Sequence, residues 1–330
     1  MLPGEVARMK KSVTCVRPPP WHCPKHDLPL QITPLSLICP SGHTFDIVGG
    51  IPRFVESSAY ANHFGLQWKT FSKTQLDSHT GLSISANRLG ECLGEKLWEL
   101  LPNLQVLEAG CGAGRFTEVM IGRGACVTSI DLSDAVEVAQ ETVGPAGRFA
   151  QADISSLPFA PRQFDLVLCI GVIQHTPNPE LTISKLWDQV KPGGSLVIDH
   201  YSFQSWRYYT TSLPYVRAVL GRTKPETAMR WNKRIVDAGF PVLRALRNHN
   251  LLLRLATRII PVLTYFKKYP ALSEQQHYDL SLLDTHDALT DGFKHSRTTD
   301  HIARVLTHLG AKDITAWRGG NGVQARAIRP

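Results

Sequence analysis

No run of this chain is both long and apolar enough to cross a bilayer. The most hydrophobic stretch, LLLRLATRIIPVLTYF from Leu251 to Phe266, is short and carries Arg254 and Arg258 inside it. The N-terminus, MLPGEVARMKKSV, lacks the apolar segment of a secretory signal. Seven scattered cysteines, an odd number, add no disulfide framework, so the expectation is a cytoplasmic chain with thiols free or metal-bound. Internal repeats are absent. Acids are nearly missing from 201–270, where thirteen Lys/Arg face only Glu226 and Asp237. That segment is +11 in a chain of +8. Such an excess predicts an acidic partner (phosphate, carboxylate, anionic membrane or nucleic acid) or, equally, a solvated helical surface.

What is present is ordinary for a globular protein: 330 residues, 43% hydrophobic and 19% charged, enough for one large domain with additions. Five segments follow from pattern. Residues 1–56 are Pro-rich with paired Cys/His clusters, and 57–103 form a helical lead-in where Leu89, Leu93, Leu97 and Leu100 recur at helical spacing. Residues 104–200 alternate strand and helix: QVLEA, CVTSID, RFAQAD, FDLVLCIG and SLVIDH are strands, with helices starting near Arg115, Ser133 and Pro179. That rhythm predicts a parallel sheet covered on both faces. Residues 201–285 read as a basic helical cap inserted after the fifth strand. Residues 286–330 supply a helix and the strands DITAWR and VQARAI, joined through GGNG in a tight hairpin.

The first strand runs into VLEAGCGAGRF. A loop after a parallel strand lies at its carboxyl end, where open α/β sheets bind ligands, and glycines let the backbone come close. The pattern is GxGxG, with Arg115 where a dinucleotide loop would have its last glycine. Glu108 precedes the loop and suits a cationic amino group rather than a pyrophosphate. Asp131 ends the second strand, placed to accept ribose hydroxyls, and Asp153 ends the third, placed to meet an adenine amino group. Acids at three successive strand ends describe a ligand with a ribose, an adenine and a positive amino-acid tail.

The runs LEAGCGAGRFTEVM, SIDLS, QADISSLPF, FDLVLCIGVIQHTPNP and VKPGGSLVIDH resemble class I methyltransferases that use S-adenosylmethionine (SAM). The resemblance implies a Rossmann-like seven-stranded sheet with its last strand antiparallel. It implies that Glu108, Gly110, Gly112 and Gly114 lie along the methionine part of SAM. Asp131 and Leu132 would flank ribose and adenine, Asp153 and Ile154 the base, and Ile170 and Gly171 would close the pocket. Phe64, Gln67, Trp68 and Arg88 precede the first strand, where this family places a helix over the cofactor.

CPKH (Cys23, His26) and CPSGH (Cys39, His43) give two close pairs of soft or borderline ligands. They suit a closed, structural tetrahedral Zn2+ site, with His22 as a competing ligand. The spacing resembles the zinc ribbon of a ribosomal-RNA guanine methyltransferase family, except that His26 stands where that family has a cysteine.

Methyl transfer needs the acceptor aligned and, for a hydroxyl, a base. His175 and His200 follow the fourth and fifth strands, and His200 beside the cap is the preferred base; His286, Asp287 and His295 are further candidates to close the pocket, or plain surface residues. The acceptor expected is a small-molecule or glycan-like metabolite, acidic in character, since the chain loosely resembles methyltransferases of secondary metabolism and polysaccharide pathways. An alternative is an RNA base, read by the ribbon and by cap aromatics Trp206, Tyr208, Tyr209 and Trp231. A basic amphipathic cap would also suit peripheral contact with an anionic membrane.

Overall fold

The alternation that begins at Gln105 is realised as one seven-stranded sheet. The computed structural model describes residues 18–55, 67–68, 70–204 and 206–330. Phe64 lies outside the described residues, as does the side chain of Trp206.

A small antiparallel sheet comes first, with β1 (Gln31–Ile32), β2 (Ser36–Ile38), β3 (Thr44–Val48) and β4 (Ile51–Pro52) in that order. Helix α1 (Ile84–Leu100) precedes β5 (Gln105–Ala109), α2 (Arg115–Gly122), β6 (Cys126–Asp131), α3 (Ala135–Val143), β7 (Arg148–Gln151) and β8 (Phe164–Cys169). Next come α4 (Pro179–Asp188) and β9 (Val190–Tyr201). The cap holds α5 (Leu213–Leu220), α6 (Pro225–Ala245), α7 (Asn250–Ile259) and α8 (Glu274–Thr290); α9 (Thr299–His308), β10 (Lys312–Gly319) and β11 (Gly322–Ile328) close the chain.

The large sheet runs β10-β11-β9-β8-β5-β6-β7. Strands β5 to β9 pair in parallel, and β11 is antiparallel to both β9 and β10. Gly319 pairs with Gly322, so the expected hairpin turns on Gly320 and Asn321. Strand alternation sorts the core onto two faces. Val106, Leu166, Leu168 and Val197 pack under Leu89, Leu93, Phe116 and Met120 of α1 and α2. Leu107, Val167, Leu196 and Ile198 pack under Ile183, Leu186, Ile302 and Leu306 of α4 and α9. The order reverses between β5 and β8, which opens a crevice at the strands' carboxyl ends.

Among its described residues the N-terminal module has no core of its own. Trp21, Leu30, Leu37 and Phe45 join the cluster under the large sheet, and Trp21 stacks on Phe159 with centroids 5.2 Å apart. Arg53 bridges in parallel to Gln151, and the Phe54 N–H donates to the Gln151 carbonyl at 2.8 Å. The module thus pairs with the exposed edge of β7, the open side at which a sheet would otherwise recruit another chain.

The cap builds its own small core from Phe71, Val236, Phe240, Leu243, Val262, Leu282 and Leu283. No strand falls among its described residues between β9 and β10. Its last helix starts at a capping box, Ser273 with Gln276, and nothing breaks it at 285. The cap and the closing segment therefore share one continuous helix, and α8 carries Asp287 back toward the sheet.

Candidate active site

A cavity of about 430 Å³ occupies the crevice. Its floor is the glycine loop. Gly110 and Cys111 donate their N–H groups to the Ile130 carbonyl at 2.8 and 3.0 Å, tying the loop to the next strand. Gly110 sits at φ 81°, and a Cβ there would come within 2.4 Å of Val172; at Gly112, φ 54°, it would meet the Trp68 ring at 2.9 Å. Only glycine holds this path.

Asp131, at the end of β6, organises the floor. One carboxylate oxygen accepts the Gly112 N–H at 2.9 Å, and the other accepts the Ser133 N–H and hydroxyl at 2.9 and 2.7 Å. Burial pushes its pKa up, and the donors from Ser133 and Gly112 oppose that shift. Asp153 accepts from the Ser155 N–H at 2.7 Å, which fixes it at the far end of the cavity. Gln67, Gly110, Gly112, Asp131, Leu132, Asp153, Ile154, Ile170, Gly171 and His175 all line the cavity, together with Trp68.

Glu108, Gly114, Arg88 and His200 do not line it. Glu108 turns beneath the loop, where the Thr117 hydroxyl donates to it and Ser129 lies at 3.3 Å. Burial drives its pKa to about 7, against those hydroxyls. Gly114 is the N-cap of α2 and packs against α3. Arg88 pairs with Asp199 at 2.6 Å, and Asp199 in turn accepts the Gly171 N–H at 2.5 Å; both support the cavity wall from behind. His200 departs from expectation because neighbours on a strand point to opposite faces. With Asp199 reaching Gly171, His200 faces the other way, toward Arg297 and Glu180, and its Nδ1 meets the Tyr201 carbonyl at 3.0 Å. Burial lowers its pKa, and its Nε2 is buried without a hydrogen-bond partner.

His175 sits on the wall in a short turn after β8, with its Nδ1 3.0 Å from the Phe293 carbonyl and 3.7 Å from Asp291. Its ring meets Tyr201 edge to face, and the Tyr201 hydroxyl points to Asp287 at 3.4 Å. Asp291 also draws Lys294 to 3.3 Å and Arg217 to 3.6 Å. Asp287 lines the cavity, so of the three closing residues considered from the sequence this one reaches the site. His286 is buried off the lining, and His295 donates its N–H to the Gln174 carbonyl.

Arg115 escaped the sequence reading, where it counted only as a missing glycine. It lines the cavity, and burial beside Arg88 lowers its pKa to about 10 despite Asp284, Asp199 and Glu108 nearby. No carboxylate lies within ion-pair distance of it among the described residues, so its guanidinium suits the carboxylate of a ligand.

The N-terminal module brings Cys23, His26 and Cys39 together. The His26 Nδ1 lies 3.6 Å from the Cys23 sulfur and 3.4 Å from that of Cys39, and ligand atoms of all three lie within 4.8 Å of one another. The His43 ring stands 4.7 Å from that of His26, and its Nδ1 is buried without a hydrogen-bond partner. His22 turns instead to Asp27, at 3.4 Å.

A parallel sheet closed by one antiparallel strand, a glycine floor, and acids at or just past successive strand ends around one cavity make up a Rossmann-like methyltransferase fold. The family model described as "Methyltransferase domain" matches residues 107–198, the part of the chain that builds this floor. The chain is similar to the ubiquinone biosynthesis O-methyltransferase of Azoarcus sp. (strain BH72), 33% identical over 129 residues, covering 37% of this chain and 55% of that protein. It is likewise similar to the protein of that name from Pseudomonas entomophila (strain L48), 36% identical over 101 residues, or 29% and 44% of the two chains. The chain thus spans about half the length of the curated relatives it matches.

Among solved structures it is similar to magnesium protoporphyrin IX methyltransferase from Synechocystis PCC 6803 with bound SAH, at 15% identity and TM-score 0.39, covering 84% and 89% of the two chains. A putative S-adenosyl-L-methionine-dependent methyltransferase from Methanococcus maripaludis gives 11% identity and TM-score 0.44, with 83% and 96% covered. Both likenesses are too distant to add to the site's own geometry.

Proposed function

We propose that this protein transfers a methyl group from SAM to a hydroxyl oxygen of a small organic acceptor. The observation that carries the reading is the convergence of the glycine floor, Asp131, Asp153 and His175 on one cavity of a size that suits such a cofactor. The residues fit the group: carboxylates stand where a ribose and an adenine amino group need acceptors, and Arg115 stands ready for a carboxylate. Bound there, SAM supplies an electrophilic methyl on a sulfonium sulfur. The S–CH3 bond breaks as the O–CH3 bond forms, leaving SAH, and the acceptor's proton must go to a base.

His175 is that base. Its Nδ1–H donates to the Phe293 carbonyl with Asp291 behind, which orients the ring on the cavity wall, and in this reading the proton goes to Nε2. The imidazolium formed is then held by Asp291. Oxygen is favoured over other acceptor atoms by the likeness to ubiquinone biosynthesis O-methyltransferases, which also favours a small molecule over a glycan. In the N-terminal module, Cys23, His26, Cys39 and His43 would hold Zn2+ structurally, since four protein ligands leave no open position.

The RNA alternative draws on the +11 cap. Against it, the ribbon is spent on the β7 edge and the large core, which leaves it poorly placed as a separate reader. Labelled methyl from SAM, incubated with a fractionated cell extract, separates the two. Label in the small-molecule fraction supports the proposal, and label confined to RNA refutes it.

A further inference from the structure

Helix α7 is amphipathic in an unusual sense, because none of its residues is buried. Leu253, Ala256 and Ile260 touch the cap core only partly. Leu251, Leu255 and Ile259 recur at i, i+4 and i+8, and with Leu252 they form an outward apolar face, 48% to 76% exposed. Arg254 and Arg258 flank that face. The Ser212 N–H donates to the Arg258 carbonyl at 2.8 Å, which joins the end of α7 to the start of α5, where Tyr215 and Val219 are also exposed. At the other end of α7, a basic hollow of about 570 Å³ is lined by Arg244, Arg247, Asn250, Lys267 and His277, among others. Glu274 pairs with Arg244, whereas Arg247 and Lys267 have no carboxylate within ion-pair distance among the described residues.

We propose that α7 docks the protein onto an anionic phospholipid bilayer. The aliphatic face of α7 enters the boundary between headgroups and acyl chains, Arg254 and Arg258 lie at headgroup level, and the hollow takes a headgroup phosphate between Arg247 and Lys267. Aliphatic side chains beside cations fit this occupant. RNA would call for stacking aromatics on the docking face, and α7 carries none, its exposed face being aliphatic; a second copy of the cap would set +11 against +11. The face lies outside residues 107–198, so it does not depend on the methyl-transfer reading.

The test is flotation of the full chain with phosphatidylcholine vesicles, with and without phosphatidylglycerol. Flotation is expected only with phosphatidylglycerol and should weaken as salt rises. The double variant Leu252→Asp/Ile259→Asp should lose about tenfold or more of the bound fraction, and Arg247→Gln/Lys267→Gln should lose part of it. Inorganic phosphate should release the wild-type chain more than chloride at equal ionic strength. An unchanged melting temperature and SAM titration would show that each variant is folded; should the leucine variant fail that check, Leu251→Ser/Leu255→Ser replaces it. The proposal is overturned if the chain stays in the dense fraction with phosphatidylglycerol, or floats equally with neutral vesicles. It is also overturned if the α7 variants float like wild type, or if these substitutions abolish RNA binding or self-association and leave flotation intact.

Discussion

Replacing Asp131 by asparagine should separate ligand binding from folding. The carboxylate serves two sides at once, with one oxygen on the Gly112 N–H at 2.9 Å and the other on Ser133 at 2.9 and 2.7 Å. An amide has one oxygen, so its NH2 group must face an N–H donor on one of those sides. A hydrogen bond to a charged acceptor contributes about 1.5–3 kcal/mol. Losing the bond to a ribose hydroxyl and loosening Gly112 together cost about 3–4 kcal/mol, or two to three orders of magnitude in affinity. Folding should change far less, because burial already works against the ionised carboxylate and the neutral amide escapes that cost. Calorimetric titration of SAM and SAH, with thermal melts of the same samples, reads both quantities. SAM affinity within about threefold of wild type in Asp131→Asn would refute this placement of the cofactor.

Further consequences follow from the same contacts. His175→Ala should lower kcat by about 10²–10⁴ with SAM affinity unchanged, and added imidazole should restore part of the rate; steady-state kinetics would show a rate near wild type if His175 merely shapes the wall. Glu108 goes from an ordinary 4.5 in the unfolded chain to about 7 when folded, so the native state holds a proton the unfolded state has released. Stability should therefore fall as pH rises from about 4.5 to 7, on the order of 3 kcal/mol in full, and Glu108→Gln should flatten that slope in denaturant melts. Metal analysis of the purified chain should find zinc. Cys23→Ser/Cys39→Ser should lose it and lower the melting temperature; a metal-free wild type with an unchanged melt after chelation would exclude the site.

Much of the fold was legible in the sequence because it rests on short-range rules. Strand-to-helix alternation from Gln105, the glycine loop and the Gly319–Gly322 hairpin are all local signals, and each appears in the structure where the pattern placed it. Asp131 was legible because a strand's end fixes where its last side chain stands, whereas β7 stops at Gln151 and Asp153 reaches the cavity from the loop just beyond it. The misplacements came from questions of facing. His200 was preferred over its neighbour because histidine suits a base, yet the period of two in β9 sends Asp199 toward Gly171 and His200 away. Glu108 looked like a ligand for a cation, but Thr117, in the first turn of α2, supplies a closer donor beneath the loop. Asp287 depends on α8 running unbroken past 285, which brings a residue far along the chain back to the cavity. That closure is tertiary, and no local signal carries it. The docking of the module at the start of the chain, whose aromatic residues Trp21 and Phe45 complete the larger core, is likewise tertiary.

The most direct test is to supply SAM carrying a carbon-labelled methyl group, together with hydroxylated small-molecule acceptors, and identify the labelled product by NMR. A methyl signal in the methoxy region that grows with time, accompanied by an equal yield of SAH, is the expected result. A labelled methyl on nitrogen or carbon, or SAM bound at the cavity with no SAH formed across a broad acceptor set, would contradict O-methyl transfer.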